Sequence, residues 1–203
     1  MNKTGTGILL LLVGPTASGK TTLLNELLSR RPDIRRMVTA TTRAPRPGEF
    51  DGENYYFLDR AEFERRISEN WFLECENVHG NLYGTPRDEI VSKLSEHPVV
   101  AKDVDVRGAR SIKKEYGNAV VAVFVLPPSM DVLVRRLTTR GTEDAEAMQR
   151  RLDTCKSEIA QMEHFDYWIT NDVLEVALSE IEAIVTAETK RMSRRLETEA
   201  WIM

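Results

Sequence analysis

The sequence predicts an α/β fold: a three-layer α/β core around a parallel sheet, with an inserted α+β lobe and a helical lid. Apolar runs at residues 8–13, 99–101 and 119–126 are continuous rather than alternating, as expected of strands covered on both faces of a parallel sheet. Helical patterns separate these runs. Two stretches break the alternation: residues 39–97, rich in arginine, glycine, proline and aromatics, and residues 129–165, a charged helical hairpin. The expected division is a core of residues 1–38, 98–128 and 166–203, a lobe at 39–97 and a lid at 129–165.

The first strand, Ile8-Leu9-Leu10-Leu11-Leu12-Val13, runs into Gly14-Pro15-Thr16-Ala17-Ser18-Gly19-Lys20-Thr21-Thr22. This is a G-x4-G-K-T phosphate loop between a strand and a helix. Gly14 and Gly19 let the chain curl with N–H groups inward, Lys20 brings a mobile positive charge to β- and γ-phosphates, and Thr21 offers a hydroxyl to Mg2+. Residues 22–28 read as a helix whose positive end faces the same phosphates. The core is thus a P-loop core, and a nucleoside triphosphate is the expected ligand.

Further along, Asp59 and Glu62 form a capping-box-like pair ahead of Phe63 and Ile67. Thr85-Pro86 reads as a cap and a first-turn proline before Ile90 and Leu94. The second apolar run leads to Asp103, placed as a Walker B acid for Mg2+, directly or through water; strand alternation aims Asp103 and Asp105 to one face and Val104 to the other. Ser129 precedes Leu133 and Leu137, and another helix is expected from Thr142 towards Met162. The last helix carries Leu174, Ala177, Leu178, Ile181, Ile184 and Val185 on one stripe, a packing face. Asn171-Asp172 precedes it, either near the adenine or, through Asp172, as its cap. The tail beyond Met192 reads as a polar, fraying helix end with Trp201 docked or dangling.

Composition narrows the function classes. With 41% hydrophobic and 30% charged residues in 203, the chain reads as an ordinary soluble protein. The net charge of −4 gives no global attraction to nucleic acid. Cys75 and Cys155 lack metal or redox spacing, which points to structural thiols in a reduced compartment. The longest N-terminal apolar run is too short to span a membrane, so the expected location is cytoplasmic, with no membrane partner. Nothing in the sequence separates a monomer from a homo-oligomer.

Thr39-Ala40-Thr41-Thr42-Arg43-Ala44-Pro45-Arg46-Pro47-Gly48-Glu49 sets two guanidinium groups on a stiffened loop, followed by Gly52-Glu53-Asn54-Tyr55-Tyr56-Phe57. Two planar forks and tyrosine hydroxyls suit a phosphate monoester, although an arginine loop alone is more often just solvated. Together with Phe72-Leu73-Glu74, Gly80-Asn81-Leu82-Tyr83-Gly84-Thr85, Asp103-Val104-Asp105, Pro127-Pro128-Ser129, Arg136-Leu137-Thr138-Thr139-Arg140-Gly141-Thr142 and Asn171-Asp172, in that order and spacing, the chain resembles guanylate kinases. These are P-loop enzymes that move the ATP γ-phosphoryl group to GMP, and the resemblance covers nearly the whole chain.

The resemblance implies a Mg2+-dependent phosphoryl transfer to GMP, and to dGMP, in purine nucleotide metabolism, with residues 39–97 as a GMP-binding lobe. By position it implies GMP-phosphate contacts at Arg43, Arg46, Tyr55 and Tyr83, and guanine contacts at Thr39, Glu74, Thr85 and Asp105. It implies ATP contacts at residues 14–22 and Asn171-Asp172, metal contacts at Thr21 and Asp103, and catalytic roles for Lys20, Arg136, Arg140 and Arg151. Chemistry agrees at Glu74, since a carboxylate accepts both the N1–H and N2–H2 of guanine, whereas adenine presents an acceptor at N1. The same lid arginines could instead solubilise exposed helices. No histidine is needed, because the GMP phosphate is already an anionic nucleophile; His79, His97 and His164 read as surface or packing residues. Two departures from the family stand out: Lys102 where an apolar residue precedes the first aspartate, and Leu82 where a tyrosine is common. The lysine must pair locally or snorkel from the sheet. A phosphorylated sugar is the alternative acceptor, disfavoured by Thr39, Glu74 and Asp105. A guanylate-kinase-like binding module is the non-catalytic alternative, disfavoured by the intact Gly19-Lys20-Thr21.

Overall fold

The computed structural model describes residues 7–78, 80–139 and 145–191. In chain order it contains β1 (Ile8–Val13), α1 (Lys20–Arg30), β2 (Ile34–Arg36), β3 (Thr39–Thr41), β4 (Tyr55–Phe57), α2 (Arg60–Ser68), β5 (Phe72–Val78), β6 (Asn81–Pro86) and α3 (Arg87–Glu96). There follow β7 (Val99–Val104), α4 (Val106–Tyr116), β8 (Val120–Leu126), α5 (Met130–Thr139), α6 (Ala145–Ile159), β9 (Tyr167–Thr170) and α7 (Leu174–Thr189). His79, Arg140, the helix start expected at Thr142 and the tail with Trp201 lie outside the described residues.

The apolar runs form one parallel sheet in the order β2-β7-β1-β8-β9. The central strand β1 explains why its sequence does not alternate. Ile8, Leu10 and Leu12 join Leu23, Leu24 and Leu27 of α1 and Leu178 and Ile181 of α7 in one core. Leu9, Leu11 and Val13 face Ile90 and Leu94 of α3 and Ala109 and Ile112 of α4 in the other. Leu9, Leu10, Leu11 and Leu12 are all fully buried, each stabilising the fold by about 1.5–3 kcal/mol.

A second sheet, ordered β4-β3-β6-β5, is mixed: β3 and β4 are parallel, while β6 runs antiparallel to both β3 and β5. It holds a small core of Ala40, Phe63 and Phe72, with the two phenyl rings stacked at 4.3 Å. A third cluster joins Leu133 and Leu137 of α5 and Cys155 of α6 to Ala17 of the phosphate loop.

Local signals explain some of the helix starts. Asp59 accepts from the N–H of Glu62 at 2.7 Å and caps α2, and the Ser129 hydroxyl accepts from the N–H of Val132 at 3.2 Å ahead of α5. Three expectations need correction. Thr85 does not cap α3: it belongs to β6, because a residue before proline favours extended backbone, and Pro86 holds the cap position. Asp172 does not cap α7, whose cap residue is Val173 with no side-chain bond. The helix expected to run towards Met162 stops at Ile159, followed by a 3-10 turn at Met162–His164.

Candidate active site

The phosphate loop leaves the carboxyl end of β1, where ligands of open parallel sheets bind. Its curl uses left-handed backbone at Gly14 (φ 143°), Ala17 (φ 65°) and Gly19 (φ 94°). A side chain on Gly14 would start 2.5 Å from the carbonyl oxygen of Val125 on β8, so only glycine fits there. Gly19 caps α1 without a side-chain bond, leaving first-turn N–H groups open to an anion. The Ser18 hydroxyl is buried without a partner among the described residues. Lys20 folds back to donate to the carbonyls of Gly14 (2.7 Å) and Pro15 (2.8 Å). Burial holds its ammonium below the ordinary lysine range, against the attraction of Asp103, Glu158 and Asp105.

Opposite the loop, the Thr21 hydroxyl donates to Asp103 Oδ2 at 2.5 Å, and Arg36 approaches Asp103 at 3.9 Å. Among the described residues no group of three or more His, Cys, Asp or Glu could hold a metal alone. A hydroxyl and one carboxylate instead suit Mg2+, which completes its shell with water and substrate phosphates. Thr16, Ala17, Gly19, Lys20, Thr21 and Thr22 share a cavity of about 310 Å³ with Glu76, Asp103, Val104 and Asp105. Asp103 and Asp105 thus reach one space, Asp103 from β7 and Asp105 from the cap of α4, where it accepts from the Gly108 N–H at 2.6 Å.

On the second sheet, Thr39 pairs in register with Tyr55. The Tyr55 and Tyr83 rings meet edge to face at 6.1 Å, and the Arg43 guanidinium lies 5.3 Å from the Tyr55 ring centre. Burial pushes the Tyr55 phenol up, and the negative charge of Asp103 adds to it, so the phenol keeps its proton. Glu49 holds Arg43 through both carboxylate oxygens at 2.9 Å and accepts from the Arg46 backbone N–H at 2.8 Å. The Arg43 fork is therefore preorganised, while the Arg46 side chain is exposed.

Glu74 on β5, Thr85 on β6 and Lys102 on β7 meet between the two sheets. Thr85 donates to Glu74 Oε1, and Lys102 donates to that oxygen at 2.9 Å and to the Thr85 hydroxyl. A side chain on Gly108 would start 2.7 Å from Val104 Cγ2, 3.4 Å from Asp105 Oδ1 and 3.6 Å from Glu74 Cδ, so both carboxylates pack near this glycine. Glu76 is pushed up to about 8 by its hydrogen bond to Asp105 and by burial. Burial works against ionisation of Asp105, but hydrogen bonds from Glu76 and from backbone N–H groups keep its carboxyl below the ordinary range.

A cleft of about 540 Å³ on the far side of the loop is lined by Gly19, Thr22, Arg135, Arg136, Asn171 and Asp172, among others. Buried Asn171 donates to the Ser18 carbonyl at 2.8 Å, and Arg136 donates to the Asn171 carbonyl at 3.2 Å. Arg151 is half-buried on α6; Arg140 lies outside the described residues.

A guanylate kinase family model matches residues 7–188. The chain is 45% identical over 188 residues to a guanylate kinase of Symbiobacterium thermophilum, covering 93% of this chain and 89% of that one. The chain belongs to the guanylate kinase family. A guanylate kinase of Carboxydothermus hydrogenoformans is 40% identical over 200 residues, covering 97% and 98% of the two chains. The crystal structure of guanylate kinase from Anaplasma phagocytophilum superposes with a TM-score of 0.77 at 32% identity, covering 97% of this chain and 93% of that one. The fold and the class of enzyme, a nucleoside monophosphate kinase, follow from this membership.

Two side chains beside this site, Glu76 and Glu158, were not selected from sequence. Glu76 faces Asp105, and alternation of Glu74 and Glu76 on one strand face was the available signal. Glu158 on α6 lies close enough to Lys20 for mutual attraction, with burial pushing its carboxyl up. Lys102 pairs rather than snorkels and is buried. Burial pushes both thiols up, Cys75 to about 11, so neither is a reactive thiolate. No helix among the described residues is long and apolar enough to cross a membrane.

Proposed function

We propose that this chain is a cytoplasmic enzyme that transfers the γ-phosphoryl group of ATP to GMP, and to dGMP, giving ADP and GDP. The observation that carries this reading is the shared cavity. One wall is the phosphate loop with Lys20 and Thr21; the other carries Asp103 and Asp105, next to Glu74. Donor phosphates and an acceptor base can therefore approach the same space from opposite sides. The contacts that the family resemblance implies fit this frame: residues 14–22 cradle the ATP phosphates, and the Asn171-Asp172 cleft accommodates its nucleoside. Arg43, Arg46, Tyr55 and Tyr83 bind the GMP phosphate, and Thr39, Glu74, Thr85 and Asp105 bind guanine.

Phosphoryl transfer depends on alignment and charge neutralisation more than on a base. Lys20, now bound to two loop carbonyls, swings onto the β- and γ-phosphates when they arrive. Thr21 and Asp103 would hold Mg2+, which neutralises phosphate charge when bound. Arg136, Arg140 and Arg151 stabilise the transferring group from a lid at 129–165, and closure of that lid on the core excludes water. In this division residues 39–97 form the GMP-binding lobe.

The test is coupled ADP release with Mg-ATP and, separately, GMP, dGMP, AMP, UMP, CMP and ribose 5-phosphate, with an acceptor-free blank. Turnover confined to the guanine nucleotides is expected. Turnover with the sugar phosphate, or with no acceptor at all, would overturn the reading.

A further inference from the structure

Lys102 is 6% exposed, an unusual depth for an ammonium unless it is paired. Its acceptors are Glu74 Oε1 at 2.9 Å and the Thr85 hydroxyl, which in turn donates to the same Oε1. Two observations follow from this ring. The ammonium has three N–H donors and two are used, and Oε1 of Glu74 takes two donors while Oε2 has no hydrogen-bond partner among the described residues. The Lys102 side of Glu74 is thus rich in donors. Asp105, which like Glu74 packs near Gly108, adds a second acceptor nearby.

Guanine presents a matching row: O6 as acceptor, then N1–H and N2–H2 as donors. A base that places N1–H on Glu74 must set O6 to one side and N2 to the other. The donors flanking Oε1 make the Lys102 side the O6 side, and Asp105 takes N2. Adenine reverses the pattern, with an amino group in place of O6 and an acceptor at N1. It would meet the ammonium with N–H donors and the carboxylate with a lone pair.

We propose that Lys102 is a specificity-determining residue whose ammonium, held on Glu74 and Thr85, donates its remaining hydrogen to O6 of guanine. This rests on the reading of Glu74 as the base-recognising carboxylate. Lys102 then does what Glu74 alone cannot: it reads the one acceptor on the guanine edge with a charge-assisted hydrogen bond.

The test is calorimetric binding of GMP and 6-thio-GMP to the full chain without ATP. The thio analogue keeps N1–H and N2–H2 but replaces O6 with sulfur, a weak acceptor. The parent protein is expected to prefer GMP by about ten- to a hundredfold, the worth of a hydrogen bond to a charged group. Lys102→Met should bring the two affinities within about threefold of each other, and Lys102→Gln, which keeps a neutral donor, should give an intermediate ratio. If Lys102→Met folds poorly, Lys102→Gln carries the same comparison alone. Equal weakening of both ligands, with the ratio unchanged, would overturn the proposal and leave Lys102 as a prop for Glu74. Glu74→Gln separates the two levels. An unchanged GMP-to-AMP preference in that variant would sink the underlying site; a collapsed one, with an unchanged thio ratio in the Lys102 variants, would sink this inference alone.

Discussion

Replacing Lys20 with methionine separates the catalytic use of this side chain from any structural use. Its ammonium reaches two loop carbonyls at 2.7 and 2.8 Å, bonds whose loss would cost about 1 kcal/mol each if they acted alone. Methionine keeps most of the stem and removes a partly buried cation, whose desolvation offsets part of that cost. The net change in stability should stay within about 1 kcal/mol, or about 2–4 °C in Tm for a chain of 203 residues. Catalysis has no such compensation. A preorganised donor aimed at developing charge is worth about 10²–10³ in kcat, so kcat at saturating ATP and GMP should fall by at least about a hundredfold. Coupled ADP release and a thermal melt on the same preparation read both quantities. A folded variant with kcat within about tenfold of the parent would refute the role given to Lys20.

Two other perturbations probe the site's supports. Glu76→Gln should alter the pH dependence of stability: the folded pKa, about 8, lies above the usual carboxylate value. The folded state therefore holds the proton between about pH 4.5 and 8, and stability falls as pH rises through that window. Beyond it, ionised Glu76 faces Asp105 and Glu74, with Arg107 as the compensating charge. Relative to the parent, the glutamine variant should gain Tm from pH 5 to pH 8; a constant difference would contradict the assignment. Asn171→Ala strips a buried donor from the Ser18 carbonyl, at about 1–3 kcal/mol, and should lower Tm by about 2–12 °C and raise the KM for ATP. Unchanged melting would show that the bond contributes little to holding the loop.

The core was legible because β1, β7 and β8 are long and buried on both faces, which forces continuous apolar runs. Short elements were not. β2 is only Ile34–Arg36 and reads as charged, while α4 carries Gly108 and just three other buried positions, Val106, Ala109 and Ile112. Thr85-Pro86 carried a plausible helix-start signal, yet the Thr85 hydroxyl serves Glu74 instead. Residues close in sequence, such as Gly14, Gly19, Lys20 and Thr21, could be recognised by spacing. Pairings made by the fold could not: Lys102 meets Glu74 across 28 residues and Asn171 meets Ser18 across 153. No local pattern encodes those partners; they follow from strand order and register.

The most direct test of the account follows the phosphoryl group itself by phosphorus NMR of a mixture of Mg-ATP, GMP and the purified protein. The prediction is that ADP and GDP β-phosphate signals grow in equal amounts, with no inorganic phosphate in the absence of GMP. Release of inorganic phosphate without GDP would mean that water is the acceptor and contradict the assignment of this cavity to GMP.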